Sequence, residues 1–110
     1  IRLDPNYAMA FRGRGIVYGN KGDYDRAIAD FTEAIRLNPK LGTAFTNGGL
    51  AYEKKGGYDR AIADFNEAIR LNPNDALSFC RRGRSKLKIN APGGDADIAR
   101  AKQLDAAVCR

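Results

Sequence analysis

Histidine is missing from all 110 residues, cysteine occurs only at Cys80 and Cys109, and no apolar run approaches the roughly 20 residues that a membrane-crossing helix needs. Each absence narrows the reading. Without histidine, general acid–base work would fall to carboxylates alone. Two cysteines so far apart match no metal-ligand spacing, and a disulfide framework in so short a chain ordinarily uses more of them, so free thiols are expected and the redox compartment stays open. No Ser/Lys pair or phosphate-binding loop appears, and Gly13-Arg14-Gly15 lies in a helix-patterned stretch, not after a strand, so it is no dinucleotide loop. Cys80, near Arg81 and Arg84, is a lone thiol without a base. These gaps point away from an enzyme, and no cofactor or metal is expected.

What is present suits one soluble domain: 44% hydrophobic and 29% charged residues with no low-complexity tract. The formal net charge of +6 is unevenly placed. Residues 1–75 carry 11 Lys/Arg against 10 Asp/Glu, whereas residues 76–110 carry 8 against 3. Steering of an acidic partner would therefore come from the last third.

The chain repeats itself. Aligned without gaps, residues 8–41 and 42–75 are identical at 21 of 34 positions, including Tyr-Asp-Arg-Ala-Ile-Ala-Asp-Phe at 24–31 and again at 58–65. A third copy from Ala76 keeps Phe79, Gly83, Ala101 and Leu104 before it degenerates. At the start, Ile1-Arg2-Leu3-Asp4-Pro5 matches the end of such a unit, so residues 1–7 read as the end of a truncated preceding repeat, with no initiator Met or signal-peptide pattern. Each unit reads as two helices. Phe11, Gly15 and Tyr18 mark one apolar face, Gly22 ends that helix, Asp23 caps the next, and Asn38-Pro39 stops it. Large rings alternating with glycine and alanine let the two helices approach closely.

This 34-residue period, with its aromatic, Gly, Tyr, Ala, Phe, Ala and Pro positions, resembles the tetratricopeptide repeat family over nearly the whole chain. The close likeness of the repeats to one another resembles bacterial members more than eukaryotic co-chaperones. The resemblance implies an all-α fold, an α-solenoid of stacked helix-turn-helix hairpins in a right-handed superhelix, with repeats at 8–41, 42–75 and a degenerate 76–110. The third unit departs from the pattern: Lys86 replaces the Tyr of the other two, the turn Asn90-Ala91-Pro92-Gly93-Gly94 is one residue short, and Ala106 stands where proline ended the earlier units. Such decay fits a terminal repeat, and residues 95–108 are expected to form a capping helix.

In that family the first helix of each unit lines a concave groove that binds a peptide or partner protein. The expected groove residues are Arg12, Ile16, Asn47, Leu50, Leu77, Arg81, Arg84 and Lys88, a surface mixing apolar and basic groups. A carboxylate clamp, the family's mode for gripping acidic chaperone tails, would fall on Arg12, Ile16, Asn47, Leu77 and Arg81. Asn47 and Arg81 match it and Arg12 replaces lysine conservatively, but Ile16 and Leu77 depart from it. Bidentate charge-assisted bonds make such a clamp selective only when its polar partners are all in place. A ligand with acidic residues and apolar anchors is therefore expected. Arg14 and Arg82, which precede packing glycines, are expected to bury their stems and pair with an acid such as Asp30 or Asp64.

Two other readings are open to this sequence. Arg81, Arg82, Arg84, Lys86 and Lys88 on one helix could bind nucleic acid, but at helical spacing they point in several directions and the aromatics are occupied by packing. The apolar face of the first helix could also support self-association.

Overall fold

The computed structural model describes residues 5–109, and the stretch read as the tail of a preceding repeat lies, for residues 1–4, outside them. Six helices follow one another: α1 (Pro5–Asn20), α2 (Tyr24–Leu37), α3 (Gly42–Lys55), α4 (Tyr58–Leu71), α5 (Ala76–Lys88) and α6 (Gly94–Leu104). No strand occurs among the described residues. The helices pair as α1–α2, α3–α4 and α5–α6, and each hairpin packs on the next through α2–α3 and α4–α5. Helix α3 also touches both α1 and α5, so the first helices of the hairpins form one continuous row. The stack is elongated, 43 × 25 × 22 Å. This is the all-α solenoid that the repeat implied.

Local chemistry sets the helix ends. After α1, Gly22 takes a left-handed φ of 81°, and the Asp23 carboxylate then accepts from the Arg26 N–H at 3.2 Å. The second hairpin keeps the left-handed glycine, Gly56, but has Gly57 where Asp23 stood, so α4 starts with no side-chain cap. In the third, Asp75 caps α5 through the Ser78 N–H at 3.1 Å, and its other oxygen joins Thr46 and Ser78 in a partly buried hydrogen-bond cluster that ties α5 to α3. Both α2 and α4 end at an Asn–Pro pair; Asn38 and Asn72 turn extended and accept from the backbone N–H two residues on.

The core is built from small residues under large rings. Ala27, Phe31, Ala34, Ala44, Ala61, Phe65 and Ala68 are buried. A Cβ placed on Gly15 would sit 2.7 Å from Phe31 Cε1, and one on Gly49 would sit 2.6 Å from Phe65 Cε1. Glycine therefore lets each ring lie flat against the facing helix, and burying each ring contributes on the order of 2–3 kcal/mol. The third hairpin has Ile98 in place of the ring, and here Gly83 and Gly94 bring the two backbones together: a Cβ on Gly83 would meet the Gly94 carbonyl oxygen at 2.6 Å.

The structure corrects the expectation of free thiols. Cys80 and Cys109 form a disulfide, with their Cα atoms 5.6 Å apart, and Cys80 is a core residue rather than a reactive group in the groove. The reason lies in the end of the chain. Helix α6 stops at Leu104, four residues before the expected end of the capping helix, because Asp105 turns extended (φ −154°). Its carboxylate accepts from the Ala107 N–H, and the tail folds back so that Cys109 and Val108 pack on Cys80, Ala101 and Phe79.

Candidate functional site

The row α1, α3, α5 carries two cavities side by side. The smaller, about 150 Å³, is lined by Ile16, Asn47, Leu50 and Lys54 together with Asn20 and Tyr24. The larger, about 320 Å³, is lined by Glu53, Lys54, Tyr58, Arg81, Arg84 and Lys88. Lys54 borders both, so an extended chain laid across α3 would pass from an apolar compartment to a basic one.

The eight expected groove residues thus fall into two groups. Ile16, Asn47 and Leu50 share the apolar compartment, and Arg12 donates through Nε to Asn47 Oδ1 at 3.0 Å beside it. Arg81, Arg84 and Lys88 share the basic one. Leu77 lines neither and is 37% exposed on the first turn of α5.

Glu53 and Tyr58 are site residues that the sequence reading missed. Glu53 takes hydrogen bonds from Arg81 Nε at 3.0 Å and from Ser85 Oγ at 3.1 Å, so the Arg81 guanidinium is held against α3 rather than left to the ligand. The repeat itself carries a signal for Glu53. Glycine occupies that position in the first unit (Gly19) and leucine in the third (Leu87), which makes a charged residue there irregular.

The basic helix is less available than its composition suggests. Arg81 is engaged by Glu53, while Arg82 and Lys86 both hold Asp97. Burial alone would push the Asp97 carboxyl up, but the bonds from Arg82 and Lys86 outweigh it and hold the carboxyl below its ordinary value. With Arg81, Arg82 and Lys86 turned inward, the cations of α5 form no continuous phosphate-tracking stripe.

Arg14 pairs with Asp30 through two bonds of 2.9 and 2.8 Å, one of the partners expected for it. Arg82 does not reach Asp64: it binds Asp97 of its own hairpin at 2.8 and 2.7 Å. The pairing runs between the two helices of one hairpin, and in the second hairpin the arginine position is Gly48. Asp64 consequently has no hydrogen bond or ion pair among the described residues, and burial pushes its carboxyl up to about 6, only partly opposed by the charge of Arg60.

The sign of the consequence is fixed. In the unfolded chain the same group titrates near pH 4, so the folded state is penalised as pH rises from about 4 to about 6, and fully so above that. Two pH units correspond to about 2.7 kcal/mol, which solvent screening of this half-buried group reduces to roughly 1 kcal/mol. Asp64→Asn is therefore expected to stabilise the protein by roughly 1 kcal/mol at pH 7 and to be neutral near pH 3.5, read by urea unfolding at both pH values. A variant no more stable than the parent at pH 7 would refute this.

A stack of helical hairpins with a two-compartment groove along its first helices is a scaffold for protein–protein interaction. A tetratricopeptide repeat model matches residues 1–41 and 12–76, and the chain belongs to the tetratricopeptide repeat family. A search of curated proteins finds no match. Among solved structures, the first TPR of Spaghetti (RPAP3) bound to the HSP90 peptide SRMEEVD is 26% identical with a TM-score of 0.92, over 97% of this chain and 86% of that one. The second TPR domain of human RPAP3 in complex with the HSP70 peptide SGPTIEEVD is 27% identical with a TM-score of 0.86, over 94% and 88%. The TPR2AB domain of yeast Sti1 in its HSP90 complex is 27% identical with a TM-score of 0.88, over 96% of this chain and 42% of that one.

Proposed function

We propose that the groove along α1, α3 and α5 binds an extended segment of a partner protein, with apolar side chains at Ile16 and Leu50 and acidic side chains over the third hairpin. The observation that carries this is the composition of the larger cavity, whose lining holds Lys54, Arg81, Arg84 and Lys88 and a single acidic residue, Glu53. An acidic segment gains charge-assisted hydrogen bonds there that water matches poorly. The likeness to domains that hold acidic chaperone peptides supports the same polarity. A complete terminal-carboxylate clamp is not part of the proposal, because two of its five positions are Ile16 and Leu77 and Arg81 is already engaged.

The module works by binding alone, with no reaction of its own. Its repeats divide at 8–41, 42–75 and 76–110, and their mutual likeness fits a bacterial-type member of the family.

Fluorescence anisotropy with labelled decapeptides checks the reading. A peptide bearing three or four Asp/Glu is expected to bind at least tenfold tighter than its Asn/Gln counterpart at low salt and to weaken as salt rises. Lys88→Glu, at an exposed site, is expected to weaken the acidic peptide about fivefold to tenfold, or roughly 1 kcal/mol, without changing the circular dichroism. Equal, salt-insensitive binding of the two peptides would defeat the proposal.

A further inference from the structure

A third cavity, of about 190 Å³, opens on a different face of α3, between α2, α3 and α4. Its α3 residues are Phe45, Gly48 and Tyr52, whereas the groove uses Asn47, Leu50 and Lys54. The third hairpin shows what such a place holds when it is filled. There Arg82 donates to Asp97 at 2.8 and 2.7 Å and through Nη1 to Asn66 Oδ1 at 2.9 Å, with its guanidinium carbon 5.2 Å from the centre of the Phe79 ring. The first hairpin repeats the theme, with Arg14 on Asp30 and 5.6 Å from the Phe11 ring.

A shift of one repeat maps Arg82 to Gly48, Phe79 to Phe45 and Asn66 to Thr32; after the shortened turn, Asp97 maps to Asp64. All four of these equivalent positions, Thr32, Phe45, Gly48 and Asp64, border the one cavity. The carboxylate, the ring and a polar side chain from the preceding hairpin are in place, and Arg60 also lines the cavity, but no guanidinium is bonded to Asp64 as Arg82 is to Asp97. Asp64 lies so close to the bare Cα that a Cβ on Gly48 would stand 2.8 Å from its Oδ2. The nearest cation, Arg60, is drawn off by Tyr52, over whose ring it lies at 4.9 Å and to whose hydroxyl it donates at 3.1 Å. The cavity volume equals about six waters, enough for a guanidinium and the methylenes next to it.

We propose that this cavity is a receptor for an arginine side chain of a partner protein, which enters between α2, α3 and α4 and takes on Asp64 the place that Arg82 takes on Asp97. The fit is to arginine and not lysine. A planar fork gives two parallel N–H bonds to one carboxylate and stacks on Phe45, whereas an ammonium gives a point charge that remains strongly hydrated. Of the residues lining this cavity only Phe31 also borders the groove, and the polar groups of the two sites lie on different faces of α3, so both can be occupied together.

The test is an amide NMR titration of the whole chain at pH 7 with N-acetyl-arginine amide, and with N-acetyl-lysine amide as the control. Saturable shifts centred on Phe45, Gly48 and Asp64 are expected, with a dissociation constant on the order of millimolar, and at least fivefold weaker for the lysine probe. Asp64→Asn is expected to weaken arginine binding at least tenfold. Gly48→Arg is expected to abolish it, because the chain's own guanidinium then fills the cavity as Arg82 does in the third hairpin. Arg60→Ala is expected to bind at least as well as the parent. Absence of saturable shifts at these three residues, an equal response to lysine, or unchanged binding in Asp64→Asn overturns the proposal, and Asp64→Asn decides the matter should Gly48→Arg fail to fold. Acidic-peptide binding in the groove is expected to be unchanged in Asp64→Asn, so failure at one site is read separately from failure at the other.

Discussion

Gly49→Ala is expected to lower the stability of the protein by about 1–3 kcal/mol, while the same substitution at Gly13 raises it by about 0.5–1 kcal/mol. Both glycines lie inside helices, where alanine is intrinsically preferred, so propensity alone predicts a gain at each. The surroundings decide the sign. Nothing lies within 4 Å of a Cβ on Gly13, and that gain is realised in full. A Cβ on Gly49 meets Phe65 at 2.6, 2.8 and 2.8 Å, closer than real contacts allow. Phe65 has no exposed surface and sits on the same helix as the buried Ala61 and Ala68, so the ring has nowhere to turn and α3 must move away from α4. Overpacking of this kind typically costs more than the propensity gain returns. Urea midpoints for the two variants give the answer, and a Gly49→Ala protein as stable as the parent would show that the core yields.

The second large effect is expected from opening the disulfide. Cys80 and Cys109 are 29 residues apart in sequence, and closing a loop of that length restricts the unfolded chain by about 3–4 kcal/mol on the chain-entropy account. For a domain whose whole stability is of order 5–15 kcal/mol, that is a large share. Cys109→Ala, or reduction of the parent, is expected to move the urea midpoint down accordingly. The loss should fall on the third hairpin first. The last five described residues follow a helix that has already ended, and Cys109 and Val108 are what pack them onto Cys80 and Ala101. Hydrogen exchange is therefore expected to speed up in α5 and α6 before α1 and α2. An unchanged midpoint after reduction would show that packing alone holds the tail.

Much of this architecture was legible in the sequence because repetition makes local signals redundant. Phe31 and Phe65 lie 34 residues apart, opposite glycines that are also 34 apart, and no single ambiguous window has to carry the assignment. What the period could not convey is what departs from it. The tail turns back at Asp105, beyond the last regular element, so the meeting of Cys109 with Cys80 had no periodic signal. Arg81 and Ser85 reach Glu53 across the junction between hairpins, and the register at a junction depends on how whole units stack, not on spacing within one. That Arg82 pairs with Asp97, and not with Asp30 or Asp64, escapes the period for the opposite reason. The identical Asp30 and Asp64 looked equivalent, although Gly48 had removed the partner from one of them.

Among the described residues, neither α1 nor α2 touches α5 or α6; all communication between the ends passes through α3 and α4. Mechanically the molecule is three links in series, not a network. A pull on its two ends loads every junction equally, and the weakest one opens first. Thermodynamically it behaves as a short zipper, in which a disturbance decays with each link it must cross. The middle link also holds Asp64, an acid with no hydrogen bond or ion pair among the described residues, so a cation bound there would act on the member that couples the ends.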